Sequence, residues 1–295
     1  MSNEALRELK AGLRADGPDF AGDPLKAREQ FAALLETMPV DESLTFTETE
    51  LAGVPALHSR TGEGGALLYL HGGAYVVGSA RGYRGLAAEL GKAGGLETFA
   101  IDYRLAPEDV FPAAVDDAVS AYKALLAKGF EPGRIVVAGD SAGGGLALAL
   151  LTRLRDEGVP SPAAGFLLSP WADLTCKSET LTSKAAEDAS LTPEGLRAMA
   201  GIYLSGADAE NPGASPALGD LSALPPLLVH VGSAEILLDD AVLIARRAGA
   251  GGTSVRLEIW PEMVHVWHAF HFMLPEGRAA IDAAGGFMRN RIAEL

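Results

Sequence analysis

The chain has a single cysteine, Cys176, so no internal disulfide can staple it. Basic residues are scarce: 24 Lys and Arg stand against 39 Asp and Glu, a net charge of −15. That deficit argues against nucleic acid, whose phosphates need cations, and against anionic membrane surfaces. No uninterrupted apolar run approaches the roughly 20 residues of a membrane span. The opening MSNEALRELKAGLRADGPDF lacks the apolar centre of a secretory signal. Internal repeats and low-complexity tracts are missing too. These absences predict a soluble, cytoplasmic protein. What is present is apolar material, 48% of 295 residues, enough for one large domain or two modest ones.

The apolar residues change rhythm along the chain. Leu6, Leu9 and Leu13 recur at helical spacing, and a second helical pattern covers about 25–36. LTFTETE (44–50) and VPALHSR (54–60) read as strands joined by a turn at Ala52-Gly53. From residue 66 short buried runs alternate with helical stretches. The strands are expected at 66–70, 98–103, 134–139, 163–169, 226–232 and 254–260. Helices are expected near 82–92, 112–128, 142–156, 239–249 and 276–293. Such alternation predicts an α/β fold, a mainly parallel sheet with helices on both faces. From Asp173 to about Leu224 no strand pattern appears. TPEGLRAMAGIYL within this stretch reads as a helix with Thr192 as N-cap and Pro193 in its first turn. Connections of this length are often functional. We therefore expect residues 1–40 and the insertion 173–224 to form a cap over a catalytic domain spanning 41–295.

Two glycine-rich stretches carry chemistry. RIVVAGDSAGGGLALAL sets Gly139-Asp140-Ser141-Ala142-Gly143 between a β-rich run and an Ala/Leu helix. G-x-S-x-G alone is a weak pattern, but strand–turn–helix is the setting that a nucleophile elbow requires. The tight turn needs small residues two positions either side of the serine, and the helix N-terminus favours a developing anion. LLYLHGGAYVVGS follows the first buried strand, and its paired glycines let N–H groups turn toward a ligand. The predicted oxyanion hole comprises Gly72, Gly73, Ala74 and Ala142. Within it Gly73, Ala74 and Ala142 supply the donors, and Gly72 shapes the turn. His71 is expected to brace the loop rather than act as a base.

HGGAY (71–75), DYRLAPE (102–108), FPAAVDDA (111–118) and GDSAGG (139–144) resemble the bacterial hormone-sensitive lipase family of α/β-hydrolase esterases. SPWADL (169–174), VGSAEILLDDA (231–241) and MVHVW (263–267) extend the resemblance from about residue 40 to the C-terminus. It implies an α/β-hydrolase fold with an eight-stranded, mostly parallel sheet, a helical cap and no cofactor. It also implies that Asp102 and Arg104 buttress the oxyanion loop. The chain departs from the family's H-G-G-G at Ala74, which keeps the amide but adds a methyl on the acyl side of the pocket.

Six histidines compete for the role of base: His58, His71, His230, His265, His268 and His271. In α/β-hydrolases the order is Ser, acid, His, with the base in a loop after the last strand. His265 is five residues past SVRLEIW and fits that place. His230 lies inside an apolar strand and reads as a core histidine. A metal site at 265, 268 and 271 is disfavoured, since H-E-x-x-H is absent and no Cys or carboxylate pattern completes it. GSAEILLDD offers three carboxylates. Glu235 lies in the loop directly after a strand, whereas Asp239 and Asp240 begin a helix, where they suit its dipole. The family carries its triad acid first in this segment, which points to Glu235.

The expected function is a carboxylesterase for short, uncharged esters, including lactones, using Ser141, His265 and Glu235. A ligand-binding protein on the same scaffold and an amidase or peptidase are the alternatives. SVRLEIW (254–260) is expected at the sheet edge, and relatives pair there, so a homodimer is expected.

Overall fold

The computed structural model describes residues 2–293. Helices α1 (Ser2–Asp16) and α2 (Pro24–Glu36) come first, then the hairpin β1 (Thr47–Leu51) and β2 (Val54–Ser59). The alternating part runs β3 (Ala66–Leu70), α3 (Ala80–Gly94), β4 (Glu97–Ile101), α4 (Ala113–Ala127), β5 (Ile135–Asp140), α5 (Ala142–Asp156) and β6 (Ala164–Leu168). The short α6 (Thr180–Ser183) and α7 (Pro193–Leu204) occupy the segment without strands. The chain then completes β7 (Leu227–Gly232), α8 (Leu238–Ala250), β8 (Val255–Trp260) and α9 (Pro275–Ala293).

All eight expected strands form one sheet in the order β1-β2-β4-β3-β5-β6-β7-β8. β1, β2 and β4 pair antiparallel, and every pairing from β4 to β8 is parallel. The expected turn forms with both residues at positive φ, Ala52 at 53° and Gly53 at 82°. The first strand begins three residues later than expected, where its ladder with β2 starts at Thr47 opposite His58.

Alternation along the strands divides the core. Leu68, Leu70, Val137 and Val229 join α4, α5 and α8 on one face. Leu67, Tyr69, Ala138 and Leu228 join α3 and α9 on the other. Each fully buried Leu contributes roughly 1.5–3 kcal/mol by leaving water, so this two-faced core fixes the strand ends that carry the site.

The first helices close over the carboxyl edge of the sheet. Leu6 and Leu9 of α1 bury against Met263, Val264, Trp267 and Phe270 from the segment after β8. Arg28 of α2 donates from Nε to Val76 O and from Nη2 to Ala106 O, each at 2.9 Å, and forks onto Glu108. Helix α7 begins as expected, with Gly195 N–H donating to Thr192 Oγ1 at 3.1 Å.

Candidate active site

β5 delivers Ser141 directly into α5. The turn forces its backbone to φ 53°, ψ −122°, a conformation L-residues rarely adopt and which costs on the order of 1–3 kcal/mol. Ser141 N–H donates to Leu168 O and Trp171 N–H donates to Ser141 O, both at 2.8 Å, so strand β6 and its exit loop hold the strain in place. The flanking glycines are required by space. A Cβ on Gly139 would sit 2.1 Å from Gly143 O, and one on Gly143 would sit 2.0 Å from Leu70 O.

The loop after β3 folds back on itself, with the N–H groups of Val76 and Val77 donating to Gly73 O at 3.0 and 2.9 Å. Gly73 takes φ 117°, and Ala74 and Tyr75 also adopt positive φ, at 53° and 63°. Ala74 therefore carries its methyl in a left-handed conformation that the family's glycine would adopt without strain. No acceptor within the described residues takes the N–H groups of Gly73, Ala74 or Ala142. Gly72 differs: its N–H donates to Asp140 Oδ1 at 2.9 Å, so it shapes the loop and supplies no free donor. His71 braces the loop as expected, with Nδ1 2.8 Å from Gly72 O and its ring stacked on Tyr103.

Tyr103, which was not singled out in the sequence, donates its hydroxyl to His71 O at 2.7 Å. Asp102 accepts from Ala80 N–H at 2.6 Å and secures the helix that follows the loop. Arg104 departs from the expectation. It pairs with Asp117 of α4, at 2.8 Å from Nη2 and from its backbone N–H, and so joins two sequence motifs; among the described residues none of its hydrogen bonds or ion pairs reaches the oxyanion loop. Asp140 is wholly buried. Its Oδ1 accepts from Tyr69 and Gly72, while the Tyr83 hydroxyl lies beside Oδ2 without good hydrogen-bond geometry. Burial pushes its pKa up to about 6.

His265 Nδ1 lies 2.8 Å from Glu235 Oε2, and Glu235 is fully buried. The other carboxylate oxygen accepts from Gly232 N–H at 2.6 Å and Ser169 Oγ at 2.7 Å. Ser169 also accepts from Val266 N–H at 3.2 Å, so one hydroxyl joins the acid to the residue after the histidine. Burial alone would lower the His265 pKa. The hydrogen bond and charge of Glu235, with the charges of Asp188 and Asp140, outweigh it and hold the imidazole above its ordinary value. A neutral imidazole is needed for proton abstraction, so activity should rise with pH through a limb centred above about 6.5. A pH profile of kcat/KM reads this directly, and an inflection well below that value would contradict it.

Asp188, from the segment between α6 and α7, joins the same cluster. Its Oδ2 accepts from Ile236 N–H at 2.9 Å, and its Oδ1 accepts from Ser190 and Leu191 at 2.8 and 2.9 Å. The other two carboxylates of GSAEILLDD do more than start a helix. Asp239 accepts from Thr180 N–H at 2.9 Å. Asp240, 2% exposed, accepts the N–H groups of Ala172 and Asp173 at 2.8 and 2.9 Å. Both anchor the start of the insertion, which the local pattern could not reveal.

Burial pushes the Asp240 pKa up to about 7, against about 3.9 in an unfolded chain. Between those values the folded state binds the proton that the unfolded chain has lost, so stability falls as pH rises toward 7. Asp240→Asn keeps an oxygen for both N–H groups and has no proton to lose. Its melting temperature should therefore fall less than the wild type's from about pH 5 to 8. An identical fall in both proteins would refute this.

His230 is a core histidine as expected: fully buried, with Nδ1 3.1 Å from His268 Nε2 and Nε2 3.1 Å from Glu258. Phe20, Phe31, Tyr83 and Phe270 are the aromatics that line the pocket among the described residues. Tyr75, Trp171 and Tyr203 are core, with Tyr75 and Tyr203 stacked at 4.0 Å.

Ser141, His265, Gly73 and Ala74 open onto one cavity of about 840 Å³, mouth included. Leu34 and Leu35 of α2 and Leu191 and Leu196 of the insertion form its walls. Among the described residues, His265 and the Tyr83 phenol are the ionisable side chains that line it. Such a chamber suits an apolar, uncharged ligand.

A serine on a strained strand-to-helix turn, at the carboxyl edge of a parallel sheet and followed in the chain by a paired acid and histidine, defines an α/β-hydrolase. A family described as the alpha/beta hydrolase fold matches residues 67–269. Within that fold the chain belongs to the bacterial hormone-sensitive lipase family. It is similar to a crystal structure of an esterase from that family, 42% identical with a TM-score of 0.94, over 98% of each chain. It is also similar to an acetyl-hydrolase of Streptomyces hygroscopicus, 53% identical over 232 residues that cover 79% of this chain and 78% of that one. A putative acetyl-hydrolase of Mycobacterium tuberculosis is 38% identical over 96% of this chain and 94% of its own.

Proposed function

We propose that the protein is a carboxylesterase for short-acyl, uncharged esters, acting through Ser141, His265 and Glu235. The observation that carries this reading is the 2.8 Å contact of His265 Nδ1 with buried Glu235, with the elbow serine and the histidine lining the same cavity. Glu235 holds the Nδ1 proton, which leaves Nε2 free as a base. Nε2 takes the Ser141 proton as Oγ attacks the ester carbonyl. The negative charge moves to the carbonyl oxygen, within reach of the N–H groups of Gly73, Ala74 and Ala142. The intermediate collapses, and the leaving alkoxide takes the proton from His265. Water repeats the sequence on the acyl-enzyme and releases the acid.

Short acyl groups are favoured by the Ala74 methyl and by the names of the acetyl-hydrolases that the chain resembles. α1, α2 and the insertion act as the cap. Activity on p-nitrophenyl acetate and butyrate, falling for longer acyl chains, is the expected result. No turnover of either would favour a binding protein on this scaffold. Lactones belong in the same profile, since the reaction at their carbonyl is identical.

β8 lies at the sheet edge, with Ile259 46% exposed, which supports pairing with a second copy along that edge. Light scattering should give the mass of a dimer, and a monomer would end this part of the proposal.

A further inference from the structure

A second concavity adjoins the catalytic chamber. A groove of about 760 Å³ shares Leu13, Leu34, Met38 and Phe270 with it as common walls. The groove runs outward between α1 and α2, with Gly12 on one side and Thr37 on the other. Its third wall is the segment that follows His265. Val266, Ala269 and Phe270 line the chamber, and Phe270, Phe272 and Met273 line the groove. Phe272 is 47% exposed, an aromatic left in water at the groove's rim.

Which half of an ester enters this groove follows from the chemistry. The carbonyl oxygen must face the N–H groups of Gly73, Ala74 and Ala142. The leaving oxygen must lie where His265 Nε2 can protonate it. The two arms of the ester therefore diverge. The acyl arm stays beside the oxyanion loop, where the Ala74 methyl crowds it. The alcohol arm lies along the wall that continues from His265. That wall is common to chamber and groove, which share Phe270. Asp16 at the groove repels an anionic end group, and the apolar side chains of Leu9, Leu13, Leu34, Met38, Phe270 and Phe272 favour an apolar, uncharged arm.

We propose that the groove binds the alcohol arm of the substrate, and that the preferred substrates are short-acyl esters of long, apolar, uncharged alcohols. This rests on the esterase reading above and assigns the other half of the ester. Gly12 provides the test. It lies on the groove and not on the chamber, and a Cβ there meets nothing within 4 Å. Gly12→Phe puts a ring at the groove from a position where a Cβ meets no neighbour, and replaces a poor helix former in α1. Ethyl acetate, octyl acetate and ethyl octanoate separate the two arms.

The wild type should hydrolyse octyl acetate with a higher kcat/KM than ethyl acetate. Gly12→Phe should lower kcat/KM for octyl acetate by about tenfold or more and leave ethyl acetate and ethyl octanoate unchanged. Thr37→Trp, from the opposite wall, should act in the same direction. A selective loss on ethyl octanoate would place the acyl arm in the groove and overturn the assignment. Unchanged octyl acetate turnover in both variants, or a wild type that prefers ethyl acetate, would also overturn it. A wild type inactive on all three esters would instead sink the esterase reading itself.

Discussion

Ser141→Ala is expected to lower kcat for p-nitrophenyl butyrate by about 10⁶-fold, toward the residual rate that binding and oxyanion stabilisation alone provide. The fold should survive. Alanine faces the same positive φ as the serine, and the hydrogen bonds that hold the turn come from backbone groups of Ser141, Leu168 and Trp171. Unchanged far-UV circular dichroism with lost activity is the expected pair of results. His265→Ala should fall by a similar factor, and the double variant should fall little further, because the two groups act as one device. His268→Ala serves as the control. His268 is fully buried against His230 and burial holds its pKa well below the ordinary value, so its loss should lower the melting temperature more than kcat. Activity retained by Ser141→Ala, or a loss of kcat on His268→Ala that exceeds that of His265→Ala, would contradict the assignment.

Glu235→Gln is expected to lower kcat by about 10⁴-fold with the fold intact. One oxygen of Glu235 already accepts from Gly232 N–H and Ser169 Oγ. A glutamine amide must keep its oxygen there, which turns its NH₂ toward His265 Nδ1. A donor at that position demands an acceptor, so the imidazole proton moves to Nε2 and the base is lost. The acid limb of the pH profile should also move down, because the charge that raises the His265 pKa has gone. Asp239→Asn keeps an oxygen for Thr180 N–H and should leave kcat near the wild-type value. The reverse pattern would transfer the role of triad acid to Asp239.

The strands were legible because buried parallel strands are short apolar runs, and turn residues bracket each of them. The elbow was legible because sterics allow so few residues there; glycines at 139 and 143 leave no room for others. The role split among three nearby carboxylates was only half legible. Glu235 follows from chain order. The partners of Asp239 and Asp240 lie about 60 and 70 residues away in the chain, and no local periodicity records where such a side chain will land. Arg104 misled for a related reason: its neighbour in the motif, Tyr103, touches the loop, while the guanidinium reaches α4 instead. Ser169 lies within the SPWADL motif, yet no local pattern signals that its hydroxyl bridges the acid and histidine loops. The pocket walls were hardest to read, because apolar residues at helical spacing look the same whether they face a core or a chamber.

The packing of α1 has a consequence for the order in which the protein becomes active. Leu6 and Leu9 are synthesised more than 250 residues before the residues they bury against, from Met263 to Leu274. Until that segment is made, the apolar face of α1 lacks the native surface that completes it, and such contacts of high sequence separation form late. The catalytic chamber is therefore completed only after the segment from Met263 to Leu274 has joined the fold. A nascent chain that has already placed Ser141 still lacks both its base and the wall against which a substrate would rest.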